Sequence, residues 1–295
     1  MYDIIIIGAG PAGLTASIYA RRASKKVLVL ESNTYGGQII NTLDIENYPV
    51  EAHISGFDFA TKLYNQAKDM GTEIIFEKVV KINDGDIKEV ITTNNSYKCK
   101  VIIIATGSKN RKLELDNEDN LIGKGISYCA TCDGAFYKGK TVAVVGGGNT
   151  ALEDALYLSD IASKVYLIHR RDTFKGDDKS LSVLKGKDNV EFIYNSKITK
   201  LNGTDKLDSI EINSDKVINI DGLFIAIGRV PLNEEFSSLI SLDDYGYIIA
   251  NENCNTNIPG IFVAGDNRTK ELRQLVTATS DGAIAATEAI KYINK

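Results

Sequence analysis

Asp3-Ile4-Ile5-Ile6-Ile7-Gly8-Ala9-Gly10-Pro11-Ala12-Gly13 opens the chain, and Thr141-Val142-Ala143-Val144-Val145-Gly146-Gly147-Gly148-Asn149-Thr150-Ala151 restates it near the middle. Each copy is a short β-branched run, apolar throughout, as expected of a strand buried on both faces. Each run is followed by a Gly-rich turn and then by helical spacing, over residues 14–24 and 152–161, and by a further strand, over residues 26–31 and 164–168. A Gly-x-Gly-x-x-Gly alone is a weak signal. Set between a strand and a helix, with Glu31 ending the next strand, it satisfies the dinucleotide fingerprint. Gly8 permits the tight turn, Gly10 admits a pyrophosphate to the backbone, and Gly13 lets helix and strand pack closely. The helix N-terminus favours the phosphate charge, and Glu31 accepts hydrogen bonds from ribose hydroxyls. A plain βα turn without a ligand is the competing reading.

The second copy ends differently. His169-Arg170-Arg171, with Lys175 shortly after, stands where the first has Glu31. Arginines there attract a 2′-phosphate that a carboxylate would repel, so the second unit is expected to take NADPH over NADH. A solvated basic patch is the alternative, and His169 is expected to be structural or adenine-side rather than a catalytic base.

The resemblance between the halves extends further. Residues 79–104 carry short alternating runs with turn signals, read as an antiparallel ribbon, and residues 191–217 carry a second. They end in near-identical phrases, Val101-Ile102-Ile103-Ile104-Ala105-Thr106-Gly107 and Leu223-Phe224-Ile225-Ala226-Ile227-Gly228. A strand at residues 261–263, Ala264-Gly265-Asp266 and a long helix over 275–292 end the chain without a third Gly-rich unit, so they complete one of the earlier domains. The expected fold class is α/β: two Rossmann-like dinucleotide-binding domains, each a parallel sheet with an added antiparallel ribbon, the second inserted in the first.

Between the copies lies Cys129-Ala130-Thr131-Cys132-Asp133. Such a pair forms a small reducible ring in which one thiolate attacks and the other resolves. Asp133 is a candidate acid/base, or else a turn or capping residue. An inert pair and half a zinc site are the other readings. With four cysteines and two histidines in all, partner ligands for a metal are scarce, and none is assigned. Cys99 reads as a buried small hydrophobe, and Cys254, in a polar turn, as only incidentally reactive.

The bulk numbers fit. At 295 residues the chain suits roughly two domains of about 150 residues each. A net charge of -5 argues against nucleic acid as a partner. No apolar run approaches the about 20 residues of a membrane span, and no signal peptide is evident, so the expected compartment is the cytoplasm.

Together these motifs resemble the low-molecular-weight thioredoxin reductases, of class II of the pyridine nucleotide-disulfide oxidoreductases, over nearly the whole chain. Tyr128-Cys129-Ala130-Thr131-Cys132-Asp133-Gly134 matches that family's active-site phrase, and Gly146 to Ala151 with His169-Arg170-Arg171 its NADPH site. Gly36-Gly37-Gln38, Asn47, Thr106-Gly107, Gly265-Asp266 and Arg273-Gln274 match its FAD site. The resemblance implies a discontinuous FAD domain, 1–112 and 239–295, around an NADPH domain, 113–238, that carries the Cys pair. It implies a homodimer, thioredoxin as the protein substrate, Cys132 next to the flavin, Cys129 attacking the substrate, and Asp133 exchanging the proton. It also implies a rotating NADPH domain, with hinges near residues 111–115 and 237–240. Two stretches depart from the pattern: Lys175 replaces an arginine, keeping the charge without the bidentate fork, and Gly228-Arg229-Val230-Pro231-Leu232-Asn233 differs from Gly-His-x-Pro-Asn-Thr. The short chain, without an N-terminal extension, is not expected to be one of the family's peroxiredoxin reductases, which carry an added thioredoxin-like domain. Ferredoxin as donor, a small dithiol as substrate, and a non-catalytic FAD redox sensor are the alternative readings.

Overall fold

The structure, a computed structural model, describes every residue except Leu43 and Ala52. The chain forms two compact units, unit 1 of residues 1–109 and 230–295 and unit 2 of residues 110–229.

Along the first part of the chain run β1 (Tyr2–Ile7), α1 (Pro11–Arg22), β2 (Val27–Glu31), α2 (Gly56–Asp69), β3 (Glu73–Phe76), β4 (Val79–Asn83), β5 (Lys88–Thr92), β6 (Ser96–Ile104) and β7 (Ser108–Asn110). Unit 2 continues with α3 (Glu118–Leu121), β8 (Ile126–Ser127), α4 (Ala130–Asp133), β9 (Thr141–Gly146), α5 (Asn149–Ser159), β10 (Lys164–Ile168), α6 (Asp178–Lys185), β11 (Val190–Ile193), β12 (Ile198–Asn202), β13 (Ser209–Ile212), β14 (Lys216–Asn219) and β15 (Gly222–Ala226). β16 (Arg229–Pro231), β17 (Ile261–Val263) and α7 (Leu275–Ile293) return the chain to unit 1.

In unit 1 the strands β3-β2-β1-β6-β17 are parallel, and β4 and β5 extend the same sheet as an antiparallel ribbon from the start of β6. The all-apolar strands serve two cores at once because successive side chains point to opposite faces. Ile4, Ile6, Val101 and Ile103 pack under α1 and α7; Ile5, Ile7, Ile102 and Ile104 pack under the ribbon and the stretch containing Phe236, Ile240 and Ile248. Unit 2 repeats the plan. Its parallel sheet β11-β10-β9-β15-β8 puts Val142 and Val144 beneath α5, and Ala143 and Val145 beneath the separate antiparallel sheet β12-β13-β14.

Two expectations need correction. Residues 191–193 belong to β11, which pairs in parallel with β10, and not to the ribbon, which starts at Ile198. An edge strand half-covered on each side carries the same alternation as a ribbon strand, so pattern alone does not separate them. Residues 230–238 pack with unit 1, not with the inserted unit. Asn233, 1% exposed, donates to the carbonyls of Gly246 and Asn267, and Phe236 joins the core beside Ile240.

α1 and α7 touch backbone to side chain. A Cβ at Gly282 would stand 2.2 Å from the Ala12 carbonyl oxygen, with Ala285, Ala286 and Ala289 continuing the small-residue face. Gly282→Ala should therefore force the helices apart and lower stability by about 1–3 kcal/mol in urea unfolding. Gly85→Ala, whose nearest new neighbour would be the Ile87 carbonyl oxygen at 3.4 Å, should change little.

Candidate active site

The Cys pair is built by the crossing from β8 into α4. Cys129 is the N-cap of that short helix and is disulfide-bonded to Cys132 one turn on. Asp133 closes the same turn. Its Oδ2 accepts a 2.6 Å hydrogen bond from the Ser127 hydroxyl, and the same hydroxyl accepts from the Cys129 backbone N–H at 3.1 Å. Burial raises the Asp133 carboxyl above the usual range, with the Ser127 hydrogen bond opposing. A carboxyl that holds its proton to higher pH, tied through one hydroxyl to the backbone of a redox cysteine, is arranged for proton exchange.

Sequence reasoning missed Ser127 and Asp154. Ser127 is 4% exposed and ends a two-residue strand, where no motif marks it. Asp154 lies on α5 and accepts a hydrogen bond from the Ala130 backbone N–H, inside the Cys-x-x-Cys turn. Burial pushes its carboxyl up to about 6, against the opposing influence of that N–H and of Arg229. Its place among helical apolar positions gave no sign of the contact.

In unit 1, Gly10 caps α1, Pro11 starts it, and no acidic residue lies in its first turn. Gly8 and Gly13 are required by the fold itself: a Cβ would stand 2.3 Å from the Ala105 oxygen and 2.0 Å from the Gly8 oxygen, respectively. Gly10 is not. Its φ is -80°, and a Cβ would have only the Gly37 Cα within 4 Å, at 3.9 Å. Unit 2 repeats this at Gly148, the N-cap of α5, where φ is -100° and a Cβ would meet nothing within 4 Å, whereas Gly146 is pressed against the Ala226 oxygen. At the second glycine of both fingerprints the open space suits a group from outside the chain, and the N–H-rich helix start suits an anion. These cradles fit two dinucleotides.

Glu31, Gly36, Gly37, Thr106 and Gly265 lie against the first cradle. Glu31 accepts from the Ala9 N–H at 2.8 Å, and Gly36 donates to the Ala9 carbonyl at 2.8 Å. Gly37 and Gln38 begin a 3-10 turn there. Ala12 meets Gly265, whose added Cβ would be 3.0 Å from the alanine Cβ, and Asp266 follows in the same turn. Asn47 donates to the Gln274 side chain at 3.2 Å, and Gln274 caps α7. Arg273 lies over the Tyr247 ring at 4.2 Å. Thr106 accepts from the Asn267 side chain at 3.0 Å, and Gly107 follows in the left-handed region.

In unit 2, β9 and β10 are neighbours, so Arg170 and Arg171 emerge exposed beside the Gly-rich turn. The following loop folds back: the Lys175 N–H donates to the Gly147 carbonyl at 2.8 Å, and the Asp177 N–H to the Asn149 side chain at 2.9 Å. Thr150 is exposed in the first turn of α5. His169 is 8% exposed, lies under Gly147 and stacks on Phe174 at 4.8 Å. Burial lowers its pKa, with the two arginine charges adding to that and hydrogen bonds with the Thr173 and Gly146 backbone opposing.

Cys254 is fully buried, at φ 61°, with its thiol pushed up to about 12 by burial. Even incidental reactivity is therefore suppressed, and Cys99, buried in β6, behaves alike. Among the described residues one trio could offer metal ligands, Asp44, Glu46 and His53. It contains no cysteine and holds an ion pair, His53 Nδ1 to Asp44 Oδ2 at 2.9 Å. No helix among the described residues is long and apolar enough to cross a membrane.

Comparison with known proteins agrees with this geometry. Residues 2–282 match the model of the pyridine nucleotide-disulphide oxidoreductases. The chain belongs to that family, whose members use FAD and a nicotinamide. A thioredoxin reductase of Listeria monocytogenes is 43% identical, with 100% of this chain and 95% of the relative aligned. A Clostridium pasteurianum protein described as a 34.2 kDa protein in a rubredoxin operon is 44% identical, over 99% and 97%. The crystal structure of thioredoxin reductase from Streptococcus pyogenes superposes with a TM-score of 0.95 at 42% identity, covering 100% and 98%.

The buried Asp154 carboxyl has a consequence for stability. Its folded pKa of about 6 lies above the unfolded value, so folding favours the protonated form. Its contribution is fully present below about pH 4, is lost as pH rises through about 6, and is then constant. Asp154→Asn keeps an acceptor for the Ala130 N–H and removes the buried charge. It should be more stable than the parent by about 2 kcal/mol at pH 8, and urea titrations should show the gap closing below pH 4.

Proposed function

We propose that the protein is an NADPH-dependent thioredoxin-disulfide reductase that works through FAD and the Cys129–Cys132 disulfide. The observation that carries the reading is that disulfide, set in the turn that also holds the buried Asp133, whose carboxyl is raised by burial, within the unit that contains the second dinucleotide cradle. The thioredoxin reductases among the relatives, similar over the full chain, support thioredoxin as substrate.

Unit 1 is the proposed FAD domain. Gly8, Gly10, Pro11, Ala12 and Gly13 form the pyrophosphate cradle, and Glu31 lies on the ribose side. Gly36, Gly37, Gln38, Asn47, Thr106, Gly107, Gly265, Asp266, Arg273 and Gln274 complete its walls. Unit 2 is the proposed NADPH domain, with Gly146, Gly148, Asn149 and Thr150 at the phosphates, and Arg170, Arg171 and Lys175 at the 2′-phosphate. His169 supports the loop from beneath. When bound, the two cofactors supply an electron pair from NADPH to the protein by way of the flavin.

Two electrons and two protons convert the Cys129–Cys132 disulfide to a dithiol. The Cys129 thiolate then attacks the thioredoxin disulfide and releases one partner thiolate. Cys132 attacks the mixed disulfide, releases the second thiolate and restores the Cys129–Cys132 bond. Asp133 holds the proton that moves on and off these sulfurs. A cytoplasmic homodimer belongs to the same reading, supported by the resemblance to this family; sedimentation of the purified protein tests the dimer.

Under anaerobic conditions NADPH should bleach the yellow protein, and oxidised thioredoxin should restore the colour. Cys132→Ser should abolish the recovery. Bleaching by NADPH with recovery on a small disulfide but not on thioredoxin would overturn the substrate, and no bleaching would overturn the donor. Replacing Arg170 and Arg171 together by Ala should raise the KM for NADPH roughly tenfold to a hundredfold, the worth of one or two lost charge-assisted hydrogen bonds, and leave NADH little changed. Steady-state kinetics with both nicotinamides decides it.

A further inference from the structure

Gly265, Asp266, Arg273 and Gln274 lie outside the Gly-rich fingerprint, and one buried carboxylate organises the segment that carries them. Asp281, on α7, is 3% exposed. Its Oδ2 accepts from the Gly265 N–H at 2.9 Å, from Arg268 Nε at 2.8 Å and from Lys270 Nζ at 2.9 Å. Its Oδ1 accepts from Arg268 Nη2 at 2.8 Å.

The ties continue outward. The Arg268 carbonyl accepts from Arg273 Nη2 at 3.2 Å, and Lys270 Nζ also donates to the Thr277 carbonyl at 3.3 Å. Thr277 is the partner of Gln274 in the capping box that starts α7. Burial pushes the Asp281 carboxyl up, but the Arg268 and Lys270 hydrogen bonds outweigh this and hold it below the usual carboxylate range. Two cations share one carboxylate, with side chains only 4–7% exposed, so the three side chains are locked together out of water. The turn that Asp281 holds lies against the first turn of α1, since Gly282 is pressed onto Ala12 and Gly265 faces it.

We propose that Asp281, with Arg268 and Lys270, is the positioning cluster that sets the affinity of unit 1 for a dinucleotide pyrophosphate. It fixes the Gly265–Asp266 turn, which faces α1, and ties it to the start of α7. This rests on the reading of unit 1 as the FAD domain. Asp281 touches no reacting atom; it acts through the residues it holds.

The test is the rate at which flavin leaves the holoprotein on dilution, followed by the rise in flavin fluorescence. Asp281→Asn should release flavin at least tenfold faster, while the affinity of unit 2 for NADP+ stays unchanged in calorimetry. Release within twofold of the parent would overturn the proposal, as would an equal loss of NADP+ affinity, which would mark a general structural defect. Should Asp281→Asn fail to fold, Lys270→Met carries the test: about threefold faster release is expected, and an unchanged rate overturns the proposal. A parent protein that binds no flavin would instead overturn the assignment of unit 1.

Discussion

The close crossing of a strand and the helix that follows it governs this molecule. In unit 1 the first turn of α1 lies so near the end of β1 that a single methyl on Gly13 would collide with the Gly8 carbonyl. In unit 2 a methyl on Gly146 would collide with the Ala226 carbonyl and the Ala151 side chain. Only glycine permits this approach, and the approach aims the first N–H groups of each helix at one point beyond the sheet. Glu31, Gly36 and Gly265 lie against the first of these turns, and Lys175 against the second.

Both units solve the covering of a two-faced sheet alike. Helices take one face and an antiparallel set of strands takes the other. The solution differs in continuity: in unit 1 the ribbon grows from β6 itself, whereas in unit 2 the three strands form a sheet of their own. A parallel sheet needs both faces shielded, so the repeated plan follows from the apolar strands at its centre.

Charge is placed sparingly inside the protein. Asp133 and Asp154, both raised by burial, flank the Cys-x-x-Cys turn, one through the Ser127 hydroxyl and the other through the Ala130 N–H. Asp281 is held low by two cations behind the turn that faces α1. The contrast has one cause. A buried carboxyl without a cation in contact holds its proton to higher pH, whereas one bonded to Arg268 and Lys270 releases it at lower pH.

The sequence by itself determined what depends on neighbours along the chain. The paired fingerprints, the all-apolar strands, the Cys-x-x-Cys-Asp phrase and the arginines after β10 were legible because glycine spacing, side-chain alternation and residue chemistry act within a few positions. Tertiary structure alone decided what depends on distant partners. Residues 191–193 joined a parallel sheet because β10 lay beside them, and residues 230–238 joined unit 1 because Asn233 found the Asn267 carbonyl. Cys254, flanked by asparagines, was buried beneath α7, with its thiol against the Asp281 carbonyl. Ser127, Asp154 and Asp281 carry no local signature, since a hydroxyl or a carboxylate becomes a structural hub only when folding removes water and brings donors from elsewhere in the chain to meet it.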